Sequence, residues 1–288
     1  GHEVSGEIVA LGDGVNKKMW APGDRVAVRL LYNCGECYYC RTGHANLCER
    51  AQKKPVREGL LIGPGGLCDY VIVNTGYLFK IPDTLSYEEA SLTEPLACVV
   101  HSVTKANIQL GEDVVVIGGG IMGQYHVMLA KRRGARVIMS EVDESRRALA
   151  RKLGADITFN PMEKDPVEYV KSLTEGRGAD VVFNTTAIPS VVPQAIAMTG
   201  KAGRMIQYSS MHPDAPAPVS PQMLHGNEPI LTGSISPDVH DFFTANRLLS
   251  GGIIDCKPLI AKKFPFEQAQ QAFEAAIVPG TFRVIITD

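Results

Sequence analysis

The sequence contains no apolar run longer than a β-strand, so it lacks a segment that could cross a membrane as a helix. Its first residues also lack the basic and apolar regions of a secretory signal peptide. Lysine and arginine form no cluster, and 29 basic against 31 acidic residues leave a net charge of -2. These absences argue against a membrane protein and against a protein that binds nucleic acid or anionic lipid.

The length of the chain permits two domains. Its 288 residues, 45% of them apolar, are enough for a large buried core, and no internal repeat is present. The chain begins with Gly1-His2-Glu3 and has no initiator methionine. We therefore expect it to be a fragment of a longer protein.

The most informative stretch runs from 114 to 141. A β-branched run is followed by Gly118, Gly120 and Gly123, which have the spacing G-x-G-x-x-G. A helical pattern comes next, and a second apolar run ends at Glu141. A strand, a glycine turn, a helix and a strand that ends in an acid are the fingerprint of a dinucleotide-binding βαβ unit. The remaining alternative is an ordinary strand-to-helix turn that is rich in glycine.

Each part of this fingerprint has a physical role. Residues without Cβ let the backbone approach a pyrophosphate, and the helix start at Ile121 and Met122 points free N–H groups at it. Glu141 can accept hydrogen bonds from both ribose hydroxyls and would repel a 2′-phosphate, which favours NAD over NADP. Arg146, in the next helical segment, is assigned to the same cofactor site.

From Asp113 onward, strand and helix patterns alternate. Asp143, Asp165 and Ser190 stand where helix caps are expected. Strand-like runs buried on both faces indicate a parallel sheet, and six of them in two halves indicate a doubly wound fold. The predicted strands are Val114–Gly118, Arg136–Ser140, Asp156–Asn160, Asp180–Asn184, Arg204–Tyr208 and Ile230–Ser234.

The two ends of the chain have a different, β-rich pattern. The first thirty residues alternate apolar and polar positions, a loop is predicted over 51–66, and a strand is predicted over Asp69–Val73. Near the C-terminus, two amphipathic helical patterns are followed by a strand-like run over Phe282–Thr287. This pattern predicts a second domain that is built from both ends of the chain.

Four cysteines lie within fifteen residues. Cys34, Cys37, Cys40 and Cys48 have gaps of two, two and seven residues, and four thiolates so close in sequence can close a tetrahedral shell around Zn²⁺. A shell without an open position is structural, and the gaps differ from those of an iron–sulfur run. A disulfide pair or a coincidence is the alternative, although crowded cysteines in an intracellular NAD protein favour metal.

Three further residues have two readings each when taken alone. His2 and Glu3 are adjacent, so on a regular strand they would point to opposite faces, and a surface pair is the simpler reading. At a turn or bulge, both can approach one metal. Glu94 precedes a proline in an apolar setting and is either a buried ligand or an exposed loop acid, with the exposed acid favoured.

Taken together, these motifs resemble a known family. Gly1-His2-Glu3-x-x-Gly6, the four-cysteine lobe and the run Glu94-Pro-Leu-Ala are similar to the zinc-containing alcohol dehydrogenases of the medium-chain dehydrogenase/reductase superfamily. The last run resembles the branch of polyol (sorbitol-type) and threonine dehydrogenases. The resemblance implies a GroES-like catalytic domain over 1–97 and 237–288, with the zinc lobe at 34–48, and an NAD-binding Rossmann domain over 98–236.

The resemblance also implies site residues. His2, Glu3 and Glu94 would surround a catalytic zinc, whose remaining ligand in the family is a cysteine from a segment preceding Gly1. Cys98 is then expected to be a small buried hydrophobic residue. Arg283 matches the position of an arginine that binds the cofactor pyrophosphate, with a solvated strand arginine as the alternative.

The implied activity is hydride transfer between a secondary alcohol or polyol and NAD, dependent on zinc. The protein is further expected to be cytoplasmic. The resemblance also implies a homodimer or homotetramer, because in the family the edge strand of the cofactor sheet, here Ile230–Ser234, pairs with its copy in a second subunit. Two alternatives remain: a zinc-free, NADPH-dependent enone or quinone reductase of the same superfamily, and a non-catalytic NAD-binding sensor or zinc-dependent interaction module.

Overall fold

The computed structural model describes residues 1–51 and 65–287, and the chain divides into two compact units. One unit comprises Gly1–Val100 and Ser236–Asp288, and the other comprises His101–Ile235. Most of the loop predicted over 51–66 lies outside the described residues. In the described part of the chain, none of the helices is both long and apolar enough to span a membrane.

The first unit begins with a small antiparallel sheet. Its strands follow one another in the order β1-β2-β3, and Glu3 at the start of β1 pairs with Arg29 at the end of β2. Val26 and Val28 of β2 are buried in the core of this sheet. The elements of this segment are β1 (Glu3–Glu7), β2 (Arg25–Arg29), α1 (Tyr38–Arg41) and β3 (Leu78–Lys80).

Two consecutive helices follow this sheet, α2 (Tyr87–Ser91) and α3 (Thr93–Ala106). Helix α2 begins with a capping box. In it, the Ser86 side chain accepts from the backbone N–H of Glu89, and the Glu89 side chain accepts from the backbone N–H of Ser86. Because α3 starts at Thr93, Glu94 lies in its first turn, and the side chains at positions 94 and 98 share one face of the helix.

The second unit is a doubly wound α/β fold. All five strand pairs of its six-stranded sheet are parallel, in the order β6-β5-β4-β7-β8-β9. Every residue of the central strand β4 is buried, as expected for a sheet covered on both faces. The elements are β4 (Asp113–Ile117), α4 (Ile121–Arg132), β5 (Arg136–Ser140), α5 (Glu144–Leu153), β6 (Ile157–Phe159), α6 (Pro166–Leu173), β7 (Ala179–Asn184), α7 (Val191–Met198), β8 (Thr199–Gln207), α8 (Pro221–Asn227) and β9 (Ile230–Gly233). The predicted fold class is confirmed.

Local sequence explains most helix boundaries in this unit. The side chain of Asp143 accepts from the N–H of Arg146 and caps α5, and Asp165 caps α6 through the N–H of Glu168. Helix α5 ends at Gly154, whose φ of 117° is left-handed. Ser190 precedes α7 as predicted, but its side chain makes no capping hydrogen bond.

The chain then returns to the first unit. Strands β10 and β11 form a two-stranded parallel sheet, and α10 joins them. Asp238 and Asp241 form a capping box at the start of α9. The elements are α9 (Val239–Ser250), β10 (Ile260–Pro265), α10 (Ala269–Ala276) and β11 (Arg283–Thr287).

One predicted strand is wrong. Asp69–Val73 is irregular, and Tyr70 and Ile72 are 77% and 95% exposed. Its run of aromatic and β-branched residues is typical of a strand, but within 1–51 and 65–287 the segment pairs with no strand. A strand requires a partner for its backbone hydrogen bonds, which residue type alone does not supply.

Candidate metal and cofactor sites

A cluster of three metal-ligating side chains lies in the first unit. One nitrogen or oxygen atom from each of His2, Glu3 and Glu94 lies within 4.8 Å of the other two, and His2 Nε2 is 3.8 Å from Glu94 Oε2. His2 stands just before β1, so strand alternation does not force its side chain away from that of Glu3. Glu94 is only 3% exposed, which excludes the reading of an exposed loop acid.

Burial controls the electrostatics of this cluster. It raises the pKa of Glu94 to about 7, with the neighbouring Glu3 carboxylate as the next cause. Burial likewise raises the pKa of Glu3 and lowers that of His2. A neutral imidazole and two carboxylates crowded in a poorly solvated place are a favourable environment for a divalent cation, which would offset the repulsion between the acids.

The donor set fits zinc. Nitrogen from histidine and oxygen from carboxylates are ligands that Zn²⁺ takes at about 2.0–2.2 Å. A tetrahedral shell of that radius has edges of roughly 3.4 Å, so donors 3.8 Å apart need only a small adjustment to share one ion.

Two more side chains contact this cluster. Arg283, the first residue of β11, has Nη2 2.7 Å from Glu3 Oε1. Cys98 lies one helical turn after Glu94, and its thiol donates to Glu94 Oε1 at 3.4 Å. The sequence predicted a small buried hydrophobic residue here, but Cys98 is only partly buried and has a polar partner, for which the spacing i, i+4 within a helix was a signal.

The four lobe cysteines converge on one point. Their sulfurs all lie within 4.8 Å of one another, with Cys34 Sγ 3.9 Å from Cys40 Sγ and Cys37 Sγ 4.0 Å from Cys48 Sγ. A tetrahedral zinc site with Zn–S bonds of about 2.3 Å has S–S edges of roughly 3.8 Å. The separations therefore suit a closed, structural zinc site.

Backbone amides lower the pKa of two of these thiols, whereas burial and the hydrogen bond with the Cys37 thiol raise the pKa of Cys40 to about 12. The N–H groups of Glu36 and Cys37 each donate to Cys34 Sγ at 3.4 Å and lower the pKa of that thiol. Backbone hydrogen bonds likewise lower the pKa of Cys37 to about 6. Thiolates are the form that binds zinc. All seven cysteines of the chain are free thiols, so the disulfide alternative is excluded in this structure.

The glycine turn in the second unit has the geometry of a phosphate-binding loop. Gly118 has a φ of 97°, in the left-handed region. A Cβ on Gly123 would lie 1.9 Å from the carbonyl oxygen of Gly118, so only glycine fits there. Gly120 precedes α4, and a Cβ there would meet nothing within 4 Å. At this start of α4, the N–H groups of Ile121 and Met122 have no acceptor within the helix.

Glu141 is buried beside this turn. Its Oε2 accepts from the N–H of Gly119 at 2.5 Å, and its Oε1 accepts from the N–H of Asp143 at 2.9 Å. A carboxylate has about four lone-pair sites, so acceptor capacity remains for ribose hydroxyls. Arg146 Nη1 lies 3.9 Å from Glu141 Oε2, which places both predicted side chains next to the glycine turn.

Sequence reasoning missed one residue that supports the turn. The amide Nε2 of Gln124 donates to the carbonyl oxygens of Gly119 and Arg146, at 2.9 and 3.0 Å, and so ties the turn to α5. A glutamine inside a helical pattern gives no signal for such a contact, because both partners are brought to it by the packing of α4 against α5.

The folds and the two clusters define a class: a nucleotide-binding α/β unit joined in one chain to a unit with a histidine–carboxylate site and a four-cysteine site. Comparison with known proteins agrees with this class. Residues 122–251 match the family model described as zinc-binding dehydrogenase, and residues 1–83 match that of the alcohol dehydrogenase GroES-like domain.

Individual relatives cover nearly all of the chain. D-arabitol-phosphate dehydrogenase of Enterococcus avium is 33% identical over 99% of this chain and 80% of its own length. Sorbitol dehydrogenase of Bacillus subtilis (strain 168) is 32% identical over 96% of this chain and 76% of its own. A zinc-binding dehydrogenase structure from Sinorhizobium meliloti 1021, bound to NADP, has a TM-score of 0.89 at 28% identity and covers 99% of this chain and 82% of that one. The chain belongs to the zinc-binding dehydrogenase family.

Proposed function

We propose that the chain carries out hydride transfer between a secondary alcohol or polyol and NAD, with zinc as its catalytic metal. The observation that supports this most strongly is the cluster of His2, Glu3 and Glu94, whose ligand atoms lie within 4.8 Å of one another. A binding module would need no such cluster of a histidine and two acids, one of which is buried. Two of the relatives are named for polyol substrates, which supports the same class for this chain.

In this proposal, the residues of the first unit hold the metal and control its surroundings. His2 is the neutral nitrogen ligand, and Glu3 and Glu94 supply carboxylate oxygens. Zinc, when bound, acts as a Lewis acid that makes an alcohol hydroxyl more acidic. Arg283 holds the Glu3 carboxylate by an ion pair, and burial of Glu94 keeps water from competing for its oxygens.

The residues of the second unit bind the cofactor. Gly118, Gly120 and Gly123 let the backbone approach the pyrophosphate, and the N–H groups at Ile121 and Met122 would donate to it. Glu141 would accept from the ribose hydroxyls, with Arg146 beside it. NAD supplies the hydride acceptor, and the protein supplies its position.

The domain roles belong to this proposal. Residues 1–97 and 237–288 form the catalytic domain, with the structural zinc lobe at 34–48, and residues 98–236 form the NAD-binding domain. Seven free thiols support a reducing, cytoplasmic location. Strand β9 is at the edge of its sheet, and Ile230 on it is 56% exposed, which supports pairing with a second copy. Analytical ultracentrifugation of the full-length protein tests this: a monomer contradicts the pairing.

Metal analysis tests the proposal directly. The full-length protein should hold two zinc ions per chain, and Glu94→Gln should lower this toward one and abolish NAD reduction. Glu88→Gln, which changes an ion pair with Lys263 outside the cluster, is the matched control and should keep both ions. An active wild-type enzyme with a single zinc, bound at the four cysteines, would contradict the proposal.

A substrate panel then separates the remaining classes. NAD reduction should occur with polyols, polyol phosphates or threonine, because each of these carries a secondary hydroxyl group. A primary alcohol as sole substrate would make the branch assignment wrong. Reduction of enones with NADPH would indicate the zinc-free reductase, and NAD binding without turnover of any alcohol would indicate the sensor.

A further inference from the structure

Cys98 and Glu94 form a contact within one helix that the proposed reaction has not used. They are four residues apart in α3, so their side chains lie on the same face, and the thiol donates to Glu94 Oε1 at 3.4 Å. Among the residues that the structure describes, this thiol is the only hydrogen-bond donor to the Glu94 carboxylate. A thiol donates only weakly, but here it has no competitor.

The two oxygens of Glu94 therefore have different environments. Oε1 receives the thiol hydrogen bond, whereas Oε2 is the oxygen 3.8 Å from His2 Nε2 in the metal-ligating cluster. Glu94 is 3% exposed, so water does not compensate for a lost donor. Cys98 is not one of the three residues whose ligand atoms lie within 4.8 Å of one another, so its sulfur acts on the carboxylate and not at the centre of the cluster.

We infer that Cys98 is a positioning residue: its thiol holds Oε1 of Glu94 and thereby turns Oε2 toward the metal. This inference rests on the proposed zinc site of His2, Glu3 and Glu94. Partners that orient metal ligands in this way commonly change metal affinity or activity by about 10- to 100-fold when removed. A neutral thiol belongs at the lower end of that range.

The competing description is a small hydrophobic residue that only fills space. Substitution by alanine and by serine, two side chains of nearly equal size, distinguishes a positioning role from a space-filling role. Cys98→Ala removes the donor, whereas Cys98→Ser keeps one. A control must remove a buried thiol elsewhere, and Cys256→Ala does so, because Cys256 is buried in the same unit and its thiol faces the backbone oxygen of Glu89.

The experiment uses the zinc-loaded, full-length protein and measures zinc release to a chelator, with the zinc of the four-cysteine lobe as internal reference. Cys98→Ala should release the catalytic zinc about tenfold faster than wild type. Cys98→Ser and Cys256→Ala should stay close to wild type. With Co²⁺ in the catalytic site, the visible absorption should shift in the alanine variant and return in the serine variant, which a space-filling role would not produce.

Three results would overturn the inference. Equal release and equal Co²⁺ spectra in wild type, alanine and serine variants would make Cys98 a space-filling residue. Loss of a thiolate-to-Co²⁺ charge-transfer band in Cys98→Ser would make it a direct ligand. A wild-type protein that holds zinc only at the four cysteines would defeat the proposed function, and this inference with it; the first two results leave that function intact.

Discussion

Arg283 and Glu3 form an ion pair that joins the last strand of the chain to the first, with Nη2 2.7 Å from Oε1. Both side chains are mostly buried, at 30% and 21% exposure. Burial raises the pKa of Glu3, and the guanidinium of Arg283 acts in the opposite direction. Arg283 therefore favours the ionised form of the Glu3 carboxylate, which lies in the proposed zinc site, and fixes its orientation.

Substitution of Arg283 should affect catalysis through Glu3. We expect Arg283→Met to lower kcat about tenfold, because a supporting partner of a metal-site residue is lost. Arg283→Lys should have a kcat between those of Arg283→Met and the wild type, because lysine keeps the positive charge but lacks the planar guanidinium group. Steady-state kinetics at saturating NAD measure this. A higher KM for NAD with unchanged kcat would instead favour the predicted contact with the cofactor pyrophosphate.

Glu141 should determine the choice between NAD and NADP. Glu141→Gln removes a charged acceptor for the ribose hydroxyls and the repulsion of a 2′-phosphate, so the KM for NAD should rise about tenfold or more while that for NADP falls. Glu144→Gln is the matched control, because this exposed acid on α5 undergoes the same change of charge away from the glycine turn. Equal responses of the two variants in both cofactor titrations would contradict the assignment.

Two glycines of the same turn should respond differently to alanine. In Gly123→Ala, the new Cβ would meet the Gly118 carbonyl oxygen at 1.9 Å, so we expect a loss of stability of about 1–3 kcal/mol or more. In Gly120→Ala, the Cβ enters open space, so the unfolding free energy should hardly change. Its effect should be on the KM for NAD, because the backbone no longer approaches the pyrophosphate closely. Denaturant unfolding and cofactor titration of both variants check the contrast, and equal stability would refute it.

His126 should make the protein less stable in mild acid. Its ring is fully buried between Met122 O and Ser102 Oγ, at 2.8 and 2.9 Å, and burial lowers its pKa from 6.5 to about 4. As pH falls below about 6.5, His126 becomes protonated in the unfolded chain, whereas in the folded chain it stays neutral until about pH 4. The contribution of His126 to the free energy of unfolding is thus fully present above pH 6.5. It declines between pH 6.5 and 4, by on the order of 3 kcal/mol.

The measurement is unfolding by denaturant at pH 7 and pH 5. His126→Gln, whose side chain does not titrate, should show a smaller loss between these pH values than the wild type, although it starts from a lower stability. The difference between the two proteins isolates His126 from the acids that titrate in the same range. Parallel losses in both would contradict this assignment.

The four-cysteine lobe should hold its zinc independently of the catalytic cluster. Cys40→Ser should remove one zinc per chain and lower Tm, because the metal is part of the folding free energy of the lobe. Cys68→Ser changes an exposed thiol outside the lobe and should keep both the zinc and the Tm. Zinc content and thermal unfolding are the readouts. An unchanged zinc count in Cys40→Ser would contradict a site made of four thiolates.

Local patterns predicted much of the fold. Strands β4 and β5, and the helices capped by Asp143 and Asp165, occur within a residue of their expected positions, because apolar periodicity and caps act over a single turn or strand. The segment Asp69–Val73 is an apolar run of strand-forming residues and is not a strand. Strand formation depends on a neighbouring backbone, about which a single segment carries no information.

The sequence by itself determined the two motifs whose parts are close along the chain, the cysteines at 34–48 and the glycine turn at 118–123. Their residue types and gaps leave few geometries open. The approach of Glu94 to His2 and Glu3 was expected only from the family resemblance, and the tertiary structure brings these residues together. Only the tertiary structure paired Arg283 with Glu3 and gave the Cys98 thiol a buried acceptor. The physical reason is that contacts between distant residues are decided by the packing of whole elements, on which spacing in the chain places almost no constraint.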